Sequence, residues 1–183
     1  MKKVEHGKTF DRNAANPPAF EIFHNTVTEG YPEHWHTAIE IIMPTRGEYE
    51  VVVGKDSYNL KEGDIIMINS GVVHGMRFVS QGERIVMLVE PGCVENQEEM
   101  ETIFLRLPAI YFKKEDEEDP FYLFLRSQIL ELVREYDNEG AVMTHRICTG
   151  LQELFSEFGR KGFSDANAQN TFGAMKQQEY IEA

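Results

Sequence analysis

Between Phe20 and Pro91 the chain keeps to short runs of Val, Ile, Phe and Tyr, each cut off by a Gly-containing turn. Turns recurring at intervals of about ten residues predict an all-β sandwich or barrel, because short strands need frequent reversals and reversals need residues free to take unusual backbone angles. The clearest strand is Glu48–Val53, where Tyr49, Val51 and Val53 alternate with Glu48 and Glu50. Such alternation puts one set of side chains in a core and the other in water. Gly54-Lys55-Asp56 reads as a hairpin turn into Ser57–Leu60, and Lys61-Glu62-Gly63-Asp64 as a second turn into Ile65–Ile68. A further strand, Arg84–Val89, ends at Pro91-Gly92.

Beyond residue 92 the period changes. Lys113–Asp119 is a solvated charged loop that closes on a helix start, with Asp119 as N-cap and Pro120 in the first turn. Leu125, Ile129, Leu132, Val133 and Tyr136 then recur at offsets of three and four, one face of a helix. Asn138-Glu139-Gly140 breaks it, and Met143, Ile147, Leu151, Leu154, Phe155 and Phe158 repeat the pattern in a second helix that ends over Gly159–Gly162. Two amphipathic helices joined by a short turn form an antiparallel pair. Their stripes exceed what one barrel wall is expected to cover. A homodimer seam is therefore expected at Leu125, Ile129, Leu132, Val133, Ile147, Leu151, Leu154 and Phe155.

The organisation expected is an N-terminal arm over residues 1–19, a barrel core over 20–92, a connecting segment and acidic loop over 93–119, and a helical dimerisation hairpin over 120–162. Residues 163–183 are expected to be a linker and the start of a further domain, since Phe172–Ala183 looks helical but carries no capping signal.

Composition removes several classes of function. Among 183 residues, 31 acidic side chains stand against 18 basic ones, a net charge of −13. With so few cations this stretch is not expected to grip DNA or RNA, whose phosphates need clustered Lys and Arg. No apolar run approaches the ~18–20 residues of a membrane helix, and Met1–Lys8 has no signal-peptide core. Two distant cysteines, Cys93 and Cys148, do not make a disulfide scaffold, so a cytoplasmic location is expected. There is no Gly-x-Gly-x-x-Gly, P-loop or Gly-x-Ser-x-Gly element to hold a nucleotide or present a serine nucleophile.

The chemistry lies in His34-Trp35-His36-Thr37-Ala38-Ile39-Glu40. On a single strand, His34, His36 and Glu40 would share a face, with Trp35 on the other, packing between sheet and helices. Two imidazoles and a carboxylate facing a barrel interior are a ligand set for a divalent ion such as Zn, Fe, Mn or Ni. His74, which follows a turn at Asn69–Gly71, is a fourth ligand that a closed barrel would bring alongside. No cofactor is required by this reading; the metal is an optional occupant of a cluster that also serves as polar hooks for a ligand. Tyr49, Val51, Val53, Met67, Phe20, Ile22 and His24 are expected to line the rest of the pocket.

These stretches resemble the two motifs of the cupin superfamily, small jelly-roll barrels. Gly30, His34-x-His36, three residues, Glu40, six residues and Gly47 follow the order of the first motif, and Gly63, Gly71 and His74 fit the second. Asn69 stands where the second motif usually has proline, and its closing asparagine falls on Phe78. The resemblance implies a mainly β fold with α elements: a cupin jelly-roll barrel followed by a two-helix antiparallel hairpin. The order barrel, acidic loop, helical pair is further similar to the sensor half of AraC-type transcription regulators. Met175-Lys-Gln-Gln-Glu-Tyr-Ile-Glu-Ala resembles the opening helix of that family's DNA-binding domain. That resemblance implies a small-molecule effector in the barrel, a homodimer, and DNA contact only through a downstream domain. The alternative is a metal-dependent cupin enzyme, a dioxygenase or isomerase, working through the His34/His36/Glu40/His74 set.

Overall fold

The computed structural model describes residues 19–26, 30–93, 108–114, 119–138 and 140–161. The expected arm, linker and final helix lie outside the described residues, apart from Ala19. Nine strands run in chain order: β1 Phe20–Asn25, β2 Tyr31–His34, β3 Ile39–Arg46, β4 Tyr49–Val53, β5 Asp56–Leu60, β6 Ile65–Ile68, β7 His74–Phe78, β8 Glu83–Val89 and β9 Ala109–Phe112. Two helices follow, α1 Pro120–Asp137 and α2 Met143–Lys161. The strands form two antiparallel sheets, one ordered β1-β8-β3-β6-β9 and the other β2-β7-β4-β5, the two walls of a jelly roll. Strand β9 lies in the segment expected to be only a connection, and it pairs with β6 through Ile65↔Phe112 to Ile68↔Ala109.

The Gly54 turn joins β4 to β5 in register from Tyr49↔Leu60 to Val53↔Asp56, and its positive φ of 58° is one that glycine takes without strain. At the second turn, Asp64 accepts hydrogen bonds from Lys61 N (2.9 Å), Lys114 N (2.8 Å) and the Tyr111 hydroxyl (2.6 Å). One buried carboxylate thus ties the β5–β6 turn to β9 and the residues after it.

The helix start is as the sequence indicates: Asp119 accepts from Phe121 N at 2.9 Å, with Pro120 at the first position. The hairpin lies across the outer face of the five-stranded sheet. A single apolar layer joins Ile39, Ile41, Met43, Ile65, Met67, Ile85, Met87 and Val89 of the sheet to both helices. Gly150 lets the helices approach closely, since a Cβ there would meet Leu132 Cδ2 at 2.9 Å. Arg146 and Glu135 bridge the pair at the surface at 2.9 Å.

This packing corrects the expected seam. Leu125, Ile129, Leu132, Val133, Ile147, Leu151, Leu154 and Phe155 are buried within one chain, none more than 7% exposed. Sequence reasoning undercounted the apolar surface they cover, because β3, β6 and β8 are apolar on both faces: one faces the barrel interior and the other the helices.

The same two-sidedness corrects four pocket residues. Phe20 and Ile22 belong to the helix-facing layer, with the Phe20 ring 6.2 Å from that of Tyr136, and Phe23 packs with the interior set instead. Met67 likewise faces the helices. His24, two positions on from Ile22, takes the same side of β1 by strand alternation and is half-buried. No helix among the described residues is long and apolar enough to cross a membrane.

Candidate metal centre

His34, His36 and Glu40 do not share one strand. His34 closes β2, His36 sits in the link where the chain changes sheets, and Glu40 is the second residue of β3. They converge all the same, because the link crosses the end of the barrel. It is held there by Gly71 N donating to His36 O at 2.8 Å. Gly71 has φ 74° in the turn after Asn69, and that turn delivers His74 to the start of β7, opposite both His34 on β2 and Val53 on β4. On β3, Glu40 has the same parity as Ile42 and therefore faces the interior, while Ile39 and Ile41 face the helices. Trp35 is 53% exposed rather than packed between sheet and helices; the helices cover the other sheet from the one β2 belongs to.

The four side chains form one cluster whose candidate ligand atoms all lie within 4.8 Å of one another. Ring centroids are 4.4 Å apart for His34 and His74, 4.9 Å for His36 and His74, and 5.5 Å for His34 and His36. His36, Glu40 and His74 are buried, and His34 is half-exposed at the rim, with the Tyr31 ring 4.8 Å away. Sequence reasoning passed over Tyr31; its place three residues ahead of His34 was the available signal.

Each imidazole is fixed by its own backbone. The Nδ1–H groups donate to the carbonyl two residues away in every case: His34 to Pro32 O (3.0 Å), His36 to Ala38 O (2.9 Å) and His74 to Val72 O (2.8 Å). With Nδ1 carrying the hydrogen, the neutral ring has its lone pair on Nε2. The Nε2 atoms of His36 and His74 lie 2.9 and 2.8 Å from the same oxygen, Glu40 Oε2. Two lone pairs facing a carboxylate oxygen is repulsive unless something positive lies between them, a proton or a metal ion.

Burial by itself would raise the Glu40 carboxyl, but hydrogen bonds and charge from His36 and His74 outweigh it and hold the group at about 2. Burial likewise pulls His74 down, yet the hydrogen bond and charge of Glu40 leave it above the ordinary histidine value. His34 is lowered, first by burial and then by the neighbouring His74. Three borderline nitrogen donors and one hard oxygen, with the outer nitrogens tied in place, fit a divalent first-row ion.

Of the remaining pocket residues, Tyr49, Val51 and Val53 do face the barrel interior, packed with Ile42, Leu60, Ile66, Ile68, Met76 and Val86. Cys148 is a half-buried thiol on α2 that forms no disulfide among the described residues; the side chain of Cys93 lies outside the described set.

Residues 25–90 match the family model described as "Cupin domain", which supports the cupin superfamily for that segment. No curated protein matches the chain. Solved structures similar to it include a variant of Bacillus subtilis oxalate decarboxylase (TM-score 0.37, 18% identity, 39% of this chain and 21% of that one). A conserved protein of unknown function from Streptococcus pyogenes gives a TM-score of 0.36 and 18% identity, over 39% and 63% of the two chains. A cupin-2 domain containing protein from Shewanella frigidimarina gives 0.37 and 16%, over 42% and 76%. The alignment thus spans about a fifth of the decarboxylase's length.

Proposed function

We propose that this chain is the sensing part of an AraC-type transcription regulator, acting in the cytoplasm, whose cupin barrel binds a small effector beside a divalent metal held by His34, His36, Glu40 and His74. The observation that supports the metal is the meeting of the His36 and His74 Nε2 atoms on one oxygen of Glu40, with every Nδ1 already committed. When bound, the ion supplies a Lewis-acidic point that attracts oxygen atoms of an organic ligand. Around it the protein contributes the rest: backbone carbonyls orient the rings, Tyr31 walls the open side of His34, and the buried apolar interior keeps bulk water from the inner face.

Two features support a sensor over an enzyme. A helical pair is built onto the far side of the sheet that carries Glu40 and shares one packed layer with it, so a shift in β3 is felt by α1 and α2. The Met175–Ala183 phrase resembles the opening helix of a DNA-reading domain. Effector binding then works as a population shift: the ligand favours one arrangement of barrel, arm and helices, and a homodimer passes that preference to downstream DNA-binding domains.

The enzyme reading has its own supporting observation, since a three-histidine, one-carboxylate cluster also suits oxygen or isomerisation chemistry. Metal analysis of protein purified without added metal, beside a His34→Ala/His36→Ala variant, tests the centre: near-stoichiometric metal in the parent and little in the variant is expected. Turnover of small organic acids or sugars by the metal-loaded chain would reverse the choice between sensor and enzyme. A protein free of metal even after incubation with Zn, Mn, Fe and Ni salts would remove the centre.

A further inference from the structure

The barrel interior is layered by strand register. At one end Glu40 stands level with Leu88 and Ile68, and His74 with His34 and Val53. In the middle, Ile42, Val51, Ile66, Met76 and Val86 form an apolar layer. At the other end Arg84 stands level with Asn25 on β1 and Pro44 on β3. Four residues along β8 separate the arginine level from the Glu40 level, roughly 13 Å at the usual strand rise.

Arg84 is 3% exposed, and its Nε and Nη1 are buried without a hydrogen-bond partner. Its guanidinium carbon lies 4.8 Å from the centroid of the Tyr49 ring, and the Tyr49 hydroxyl is also buried and unpartnered. A third such atom, Thr45 Oγ1, belongs to the residue after Pro44. Of the six exposed arginines among the described residues, Arg46, Arg77, Arg134, Arg146 and Arg160 have carboxylate partners, and the sixth, Arg126, lies in water on α1. The buried one has none among the described residues. This inverts the usual order, in which buried charges are the paired ones. A guanidinium cannot shed its charge by losing a proton, and the face of a tyrosine ring softens that charge without accepting its N–H groups.

We infer that Arg84 is the anchor of an anion-binding site at the end of the barrel opposite the metal centre, taking a carboxylate or phosphate group on the unpartnered N–H groups of its guanidinium with the Tyr49 hydroxyl as a further donor. The planar fork of N–H donors matches two oxygens of either group. The apolar layer between makes this a site for a small anion, separate from the four metal ligands and independent of whether they hold an ion.

Thermal melting tests it, in a low-salt buffer whose only other anion is a bulky sulfonate, with sodium acetate or sodium phosphate added at constant ionic strength. The full chain is expected to gain about 3–5 °C with at least one of the two, and which one identifies the class. Arg84→Met is expected to lose that response and to melt no lower than the parent without anion, because it removes an unpaired buried charge at similar volume. Arg84→Lys keeps the charge but not the fork, and should need at least about tenfold more anion. Arg160→Met, at the surface of α2, should respond like the parent. A parent indifferent to both anions, an Arg84→Met or Arg84→Lys variant that responds at the parent's concentrations, or an Arg84→Met protein that melts well below the parent in anion-free buffer would each overturn the assignment. Metal content, measured on the same samples, is expected to be equal in all of them, so failure at either site is read separately.

Discussion

His74 and Glu40, thirty-four positions apart in sequence, meet at 2.8 Å between Nε2 and Oε2 inside the barrel, and His36 reaches the same oxygen from the other side. The contact closes one sheet onto the other at the end of the barrel where the chain crosses between them. It makes the candidate metal centre a structural element as well as a chemical one.

His74→Ala should therefore act twice. Metal affinity is expected to fall at least about tenfold, read by equilibrium dialysis. The metal-free variant should also lose about 3 kcal/mol of stability in urea unfolding, because Glu40 keeps only one of two partners while still buried. An unchanged urea midpoint would mean that the pair contributes nothing to the fold.

The acid limb of the stability curve follows from Glu40. Its carboxyl is held at about 2 in the fold against 4.5 for an unperturbed glutamate, so the folded state binds fewer protons between those values. The contribution is complete above pH 4.5 and is lost as pH falls to about 2, on the order of 3 kcal/mol in all. His74, raised above 6.5, adds stability below that pH which is lost as pH rises through its folded value; His34, lowered, subtracts stability as pH falls below 6.5. Urea midpoints of metal-stripped protein from pH 2 to 8 should show the steep acid limb, and Glu40→Gln should flatten it.

Asp64 lies in the turn before β6, part of the second motif, yet its three hydrogen bonds are all structural. Asp64→Ala strands two backbone N–H groups and leaves the Tyr111 hydroxyl to Asn59 O at 3.1 Å, and is expected to cost about 2–3 kcal/mol with metal content unchanged. Loss of metal in this variant, with the fold intact by circular dichroism, would count against a purely structural role.

Two glycine substitutions should separate crowding from strain. A Cβ on Gly82 would lie 2.2 Å from Arg46 O and 2.8 Å from the Tyr49 hydroxyl, so Gly82→Ala must push backbone apart and is expected to cost at least about 2 kcal/mol. Gly54 has open space around it, and Gly54→Ala is expected to cost only about 1 kcal/mol, from its positive φ. Urea midpoints of the two variants, compared directly, check the order.

Leu151 is fully buried between the helices and the sheet. Leu151→Ala should lower stability by about 2–5 kcal/mol at every protein concentration, as a cavity within one chain does. A loss visible only at low concentration, paralleled by dissociation in sedimentation velocity, would restore this residue to a subunit seam.

Much of the fold was legible because its signals are local. Tyr49, Val51 and Val53 recur at every second position with Glu48 and Glu50 on the other face, Gly54 and Gly71 mark turns that need positive φ, and Asp119-Pro120 starts a helix with its own side chain. The ligand set was legible too, but for a partly mistaken reason: the spacing of His34, His36 and Glu40 suggested one strand, whereas the chain changes sheets between His34 and Glu40 and brings them together by crossing the barrel end.

The facing of β1, β3 and β8 was decided by tertiary structure alone. A strand that is covered on both sides carries apolar residues at odd and even positions alike, so alternation cannot say whether Phe20 or Phe23 looks inward. The same ambiguity hid Arg84, whose place in Glu83–Val89 reads as a solvent-facing charge until the pairing with Asn25 and Pro44 turns it into the barrel. Sequence set the periods, the turns and the chemical identity of the ligands, all properties of neighbouring residues. Which side of each strand is buried, and which distant groups share an oxygen, depends on how two sheets and a helical pair pack, and that is fixed only when the whole chain is folded.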